Sequence, residues 1–340
     1  MSKKTVLPLM LAVLAVLMIA ATAAGAVGIP FIQTVKIILK NWGVLGGIAV
    51  PEGWESIIYF VRFPRVVTAA LVGAGLAVSG TVMQGMFRNP MADPGILGVS
   101  SGAGLGAVIA IALGLTARSL YLMPLFASVG SLAAAMLIFL LSSRGGKIPV
   151  MNLILSGIAV SMFLGAITTM ILTFIHGDQV KQFLFWTVGS LNGRRWEDAG
   201  IALGPIAVGI VVLSFFTRDM NVILLGEEEA QAVGMNTSGV RRILLVFSSI
   251  TTAAAVCVSG TISFVGLIVP HILRLLLGPD HRILLPASAV GGAIFLITCD
   301  LIGRTVFIPR EIGVGIVTSL VGAPYFLFLL NRARKEGGLF

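Results

Sequence analysis

Apolar stretches long enough to cross a bilayer recur along this whole 340-residue sequence, and nothing constrains its fold more. Val6 to Val27 runs without a charged side chain, and residues 149–174 do the same. About 20 such residues in a helix cross the ~30 Å hydrocarbon core. Helix is the required form, because the bilayer interior offers no water to satisfy backbone groups. Spans are expected at about 5–27, 63–86, 94–114, 119–142, 149–174, 199–217, 241–259, 262–277, 284–305 and 313–331. The chain is 57% hydrophobic and 11% charged, whereas soluble domains carry about 25% charged residues. The expected fold is an all-α polytopic membrane protein of about ten transmembrane helices, forming one unit over residues 1–340.

Several boundaries carry chemical punctuation. Asp93 before Pro94 is an N-cap followed by proline at the first helical position. Gly145-Gly146 and Gly278-Pro279-Asp280-His281 break the chain between spans. The N-terminus, with Lys3 and Lys4 before its apolar run and Ala21-Thr22-Ala23 after it, allows a signal peptide. The length of the run favours a first transmembrane helix. A net charge of +9 is accounted for by basic loops that orient helices, and a modest excess of Lys and Arg favours both termini in the cytoplasm. No basic run with interleaved aromatics points to nucleic acid. Cys257 and Cys299 lie in apolar segments without the spacing of a disulfide framework or a metal site.

One internal match is informative. VSGTVMQGMFRNPMADPGILG (78–98) and VSGTISFVGLIVPHILRLLLG (258–278) align without a gap, sharing Val-Ser-Gly-Thr, a proline (Pro90, Pro270) and a final Leu-Gly. Five spans separate the copies, so they would run in opposite senses. Inverted repeats are a recurring plan of transporters. Gly98-x-x-x-Gly102 and Gly102-x-x-x-Gly106 predict close helix approach.

Catalytic motifs fare poorly. Gly98-Val-Ser-Ser-Gly102 matches a serine-hydrolase elbow, but that elbow needs a strand-to-helix turn with a histidine in reach. His176, His271 and His281 show no ligand spacing, so no resident metal or cofactor is expected. Asp300 lies well inside a span, with Arg304 one turn later, and a local pair competes there with a proton relay. RGGKIP lacks the spacing of a phosphate loop, so energy for transport must come from elsewhere. Against this oily background, Gly226-Glu227-Glu228-Glu229 opens a short helix, where acids suit the positive end of the dipole. Gly234 closes it, and Asn236 or Thr237 can cap a second short helix leading to Arg241 and Arg242. Such helices are unstable alone, so either the protein's own surface or a partner must hold them.

The chain resembles the FecCD-type permease subunits of ABC importers for iron complexes, haem and vitamin B12. The resemblance covers essentially the whole chain. It rests on RFPRVVTAALVGAGLAVSGTVMQGMFRNPMADPGILGVSSGAGLGA (62–107), FWTVGSLNGRRW (185–196), LGEEEAQAVGM (225–235), SGTISFVGLIVPHILRLLLGPDHRILLPAS (259–288) and EIGVGIVTSLVGAPYFLFLL (311–330). It implies ten helices per subunit, a homodimer in the bacterial inner membrane, two cytoplasmic ATPase subunits and an extracytoplasmic binding protein. The chain itself would carry out no covalent chemistry. Within 219–240, a cytoplasmic coupling segment is implied, with contacts from Gly226, Glu227, Glu228, Glu229, Ala230, Val233, Gly234, Met235 and Gly239. Arg62, Arg65 and Arg310 occupy the positions that receive the binding protein's acids; Arg194 and Arg195 could widen that basic surface. The inner gate would lie between Arg144 and Asn152, at Val150 and Met151, with Ser142 and Ser143 just before that stretch as the alternatives. The expected cargo is an iron chelate, a ferric siderophore or haem, with a cobalamin importer or an ion-coupled secondary transporter as alternatives.

Overall fold

The computed structural model describes residues 3–44, 50–51, 53–143 and 149–335. The expected break at Gly145-Gly146 lies outside these residues. Among the described residues the structure is helical throughout, and seven helices are long and apolar enough to cross a membrane. These are α1 (Lys3–Ala23), α3 (Phe63–Phe87, prolonged at its start by a π-helical turn, Ser56–Arg62), α5 (Leu122–Ser142), α6 (Val150–Phe174), α8 (Trp196–Phe215), α11 (Thr237–Ser259) and α13 (His281–Thr305). Three further apolar helices complete the expected ten: α4 (Val99–Ala112), α12 (Val265–Leu277) and α14 (Val314–Lys335). Helices α2 (Phe31–Asn41), α7 (Gly177–Val188), α9 (Thr217–Leu225) and α10 (Glu227–Ala232) are shorter and more polar.

Helices α4 and α12 are short because each starts part-way along the bundle. At 14 and 13 residues they are about 20 Å long, less than the ~30 Å apolar core. The Val99 carbonyl, in the first turn of α4, accepts a 2.8 Å bond from Ser131 at the middle of α5. In the first turn of α12, Gly266 lies against Leu76 and Gly80 at the middle of α3. Each short helix begins at a left-handed residue, Gly98 (φ 65°) and Phe264 (φ 72°). Phe264 tolerates that backbone beside Gly322, where any Cβ would overlap its ring. Asp93 does cap a helix, accepting from Gly95 N at 2.8 Å, but only a 3-10 turn (Pro94–Leu97) that Gly98 ends before α4 begins.

Two groups of helices repeat a long–short–long–long order: α3 to α6, and α11 to α14. Helix α3 packs on α12 and α13 of the second group, while α11 packs on α4 and α5 of the first. Their senses are opposite. The end of α3 meets the end of α12 through Gln84 and Arg274, and the start of α11 lies at that same end of the bundle, beside α10. The sequence match marks this repeat in the wrong register. Val78 to Thr81 lie inside α3, whereas Val258 to Thr261 straddle the end of α11, where Gly260 adopts φ 71°. The reason is connection length: residues 88–98 link α3 to α4, but only 260–264 link α11 to α12.

Glycine sets the closest crossings. A Cβ on Gly102 or Gly106 would overlap the Gly130 or Phe126 carbonyl of α5, as the paired G-x-x-x-G motifs anticipate. Gly73 and Gly292 bring α3 and α13 together in the same way. Cys257 and Cys299 are buried free thiols within this packing.

Candidate coupling segment and docking face

Helix α9 ends at Leu225, and Gly226 (φ 148°, ψ 162°) turns the chain sharply into α10. Only glycine adopts that conformation without strain. The three glutamates form the first turn of α10, yet they do not share one role. Glu227 accepts both terminal nitrogens of Arg241 at 3.1 Å, tying α10 to α11. Glu228 and Glu229 are exposed. Ala230 is fully buried and seats the helix. The C-terminus is closed by a pair of reverse bonds, Gly234 N to Gln231 O and Met235 N to Ala230 O, around left-handed Gly234. Asn236 then caps Gly239 N at 2.9 Å. The helix it starts is not a second short one, as the sequence suggested, but the full-length α11. The segment therefore consists of α9 and α10, followed directly by a membrane helix.

The exposed surface of this segment is both acidic and apolar. Leu225 is 72% and Val233 73% exposed, flanking Glu228 and Glu229. Sequence reading missed Leu225, the last residue of α9, a short helix that no apolar span marks. It also missed Asn221 on α9. The Asn221 amide nitrogen donates to Asp280 at 2.6 Å, and its oxygen accepts from the His281 backbone and faces His281 Nδ1, each at 2.9 Å. Asp280 also caps α13 by accepting from Arg282 N at 3.0 Å. The Asn221 bond, then the Arg282 amide, hold the Asp280 carboxyl below the usual carboxylate range.

At the opposite end of the bundle, two of the three arginines assigned to docking, Arg62 and Arg65, are engaged inside the chain. Arg62 and Arg65 are 7% and 8% exposed. Arg62 donates to the carbonyls of Ala23 (2.7 Å) and Val27 (2.6 Å), where α1 has ended. Arg304 reaches the Ala21 and Ala24 carbonyls at the same place. Cations suit a helix C-terminus, where carbonyls lack intrahelical partners. Arg65 holds Asp300 with Nε and Nη2 (3.1 and 2.8 Å) and Glu311 with Nη1 (2.8 Å). The expected Asp300–Arg304 pair is present at 3.5 Å, but the closer partner comes from α3. Arg62, Arg65 and Arg304 are thus staples joining α1, α3 and α13. Arg310 and Arg195 are exposed, while Arg194 pairs with Asp198 at 3.3 Å.

Around the expected gate, Ser142 is buried with its hydroxyl bonded to Phe139 O, and Ser143 caps α5. Val150 and Met151 open α6, with Met151 exposed; residues 144–148 lie outside the described residues. The G-x-S-x-G stretch starts a helix rather than a strand-to-helix turn. His176 caps α7, and His271 packs edge-on to Tyr325 on α14.

The FecCD transport family model matches residues 13–332. A cobalamin import system permease of Halobacterium salinarum is 47% identical over 83% of this chain and 75% of its own. A hemin transport system permease of Yersinia pestis is 45% identical over 81% and 83%. An iron(3+)-hydroxamate import system permease of Bacillus subtilis is 43% identical over 83% and 73%. A solved structure described as an inward-facing metal-chelate-type ABC transporter superposes with a TM-score of 0.85, at 30% identity over 97% of this chain and 99% of that one. With a family match across nearly its whole length, the chain belongs to the FecCD transport family.

Proposed function

We propose that this chain is the membrane-spanning permease of an ATP-driven importer that carries an iron chelate, a ferric siderophore or haem, into the cytoplasm. It works as a homodimer in the bacterial inner membrane, one permease unit per chain, with both termini cytoplasmic. Two ATPase subunits on the cytoplasmic side hydrolyse ATP, and an extracytoplasmic binding protein delivers the cargo. Segment 219–240 meets the ATPase through its residues from Gly226 to Gly239. The observation that carries this reading is the surface of α10: exposed Glu228 and Glu229 beside exposed Leu225 and Val233. Exposed apolar residues next to ordered acids fit a partner's groove better than open water. Closure of the ATPase pair would displace α10, and Glu227–Arg241 would pass the movement to α11.

On the outer side, exposed Arg310 receives an acid of the binding protein. Arg65 joins it when Glu311, which is partly exposed, yields its place on the guanidinium. Arg62 supports that surface through α1. The gate lies in 142–151, at Ser142 and Ser143 or at Val150 and Met151. The iron-chelate cargo is supported by the hemin and hydroxamate relatives. The cobalamin relative, at 47% identity, favours a corrinoid as the second reading.

The test is uptake of labelled ferric hydroxamate, haemin and cobalamin into proteoliposomes holding the permease, its ATPase and its binding protein. Accumulation of haemin or the ferric hydroxamate supports the iron reading; accumulation of cobalamin alone replaces it with the corrinoid one. Glu228→Lys with Glu229→Lys should release the ATPase, and retention of the ATPase would refute the contact surface.

A further inference from the structure

We propose that Asn221 is the joint through which the coupling segment drives α13, a helix distant from it in sequence. The inference rests on the reading that α10 meets the ATPase. The segment is continuous in the chain with α8 before it and α11 after it, so those helices must follow its movement. Helix α13 has no such connection. Its start is held instead by three interactions that converge on one side chain: Asn221 Nδ2 to Asp280 Oδ1 at 2.6 Å, the His281 amide to Asn221 Oδ1 at 2.9 Å, and His281 Nδ1 to the same oxygen at 2.9 Å.

An amide suits that place. Asn221 donates to a carboxylate through Nδ2 while its separate Oδ1 accepts from two N–H groups, the two functions an amide carries on different atoms. Because Oδ1 is an acceptor, the proton of the imidazole sits on Nδ1. His281 is fully buried, with Nε2 set against Gly85 of α3, where a Cβ would come within 2.5 Å. The joint cannot slide without displacing that ring against a backbone.

The far end of the same helix is also clamped. Asp300 is held by Arg65 of α3, and Arg304 by the carbonyls ending α1. Helix α13 has 25 residues, a rod of about 37 Å, pinned by polar contacts at both ends. Movement of α9 at one face would therefore reach the Arg65–Glu311 pair at the other.

The test uses the complex of the permease with its ATPase in nanodiscs. Spin labels are placed at two exposed positions, Ile302→Cys on α13 and Leu203→Cys on α8. The distance between them is compared without nucleotide and after trapping with ATP and vanadate. The intact complex should show an ATP-driven shift. Asn221→Asp sets a carboxylate against Asp280 and should abolish the shift, with the ATPase still bound and still hydrolysing ATP. Adding Asp280→Asn should restore it. The amide nitrogen so introduced would donate to the new carboxylate, which still accepts from His281, in exchange for the bond that Asp280 Oδ1 now accepts from Arg282 N. An Asn221→Asp complex that shifts normally, a swapped pair that fails to restore the shift, or an intact complex without any shift would overturn the proposal. If Glu228→Lys with Glu229→Lys leaves the ATPase bound, the contact reading fails. If that pair releases the ATPase while Asn221→Asp shifts normally, only the joint fails.

Discussion

Asp300 shows how a residue's meaning depends on partners that the sequence does not bring close. From spacing alone its partner is Arg304, one turn away. In the fold Arg65 is nearer, 2.8 against 3.5 Å, and Asp300 is 3% exposed. A buried carboxylate with two arginines is a structural hub before it is an ion relay. Removing one partner of a buried pair costs about 3–5 kcal/mol, because the other charge stays buried. Asp300→Asn should therefore lower the unfolding temperature in detergent sharply. An unchanged unfolding temperature together with abolished transport would favour ion coupling instead. Asp280 makes a different prediction. Its carboxyl is held below the usual range, so its contribution to holding α13 is complete above the ordinary value, about 4. It is lost as pH falls through the lowered one. Stability followed down an acid titration should show a loss below about pH 4 that Asp280→Asn removes; an identical acid limb in both proteins would contradict this. Arg62 and Arg65 illustrate the same limit on legibility. Their residue type and position at the start of α3 were plain, but the carbonyls of Ala23 and Val27 that occupy Arg62 become partners only when α1 folds against α3.

Elements were legible in proportion to their length and apolarity. All the long spans were placed to within a few residues, because an apolar run has one solution in a bilayer. The amphipathic helices α2, α7 and α9 were not seen, since a search for spans passes over short helices with polar faces. Helix α2 buries Thr34, Ile37 and Ile38 at helical spacing, a signal that was present in the sequence. Glycine crossings were half legible. The motifs at Gly98, Gly102 and Gly106 anticipated the α4–α5 contact, but nothing local marks Gly80, whose hydrogen faces Gly266 on a helix far along the chain. There a Cβ would overlap the Gly266 carbonyl, a backbone atom that cannot rotate away. Gly80→Ala should destabilise by about 1–3 kcal/mol, the usual cost of overpacking, read as a lower unfolding temperature. Unaltered stability would show that α3 and α12 separate freely.

Across the whole molecule, the inverted arrangement was anticipated for a reason that proved only partly sound. The matching tetrapeptides pointed to a repeat, yet the repeat lies in helix order and reciprocal packing, not in their register. Short half-helices that begin mid-bundle could not be read from hydropathy, which sees composition and not depth. Orientation can be tested directly. Val233→Cys and Arg310→Cys, both at exposed sites, should react with an impermeant thiol reagent from the cytoplasmic and outer sides respectively. The reverse pattern would invert the proposed topology. The central claim is that ATP hydrolysed by a partner, and not an ion gradient, moves cargo through this chain. It is tested most directly by uptake into proteoliposomes of the permease, ATPase and binding protein, with ATP on the ATPase side or with an ion gradient alone. Uptake that requires ATP and ignores the gradient is the predicted result; uptake driven by the gradient in the absence of ATP would contradict it.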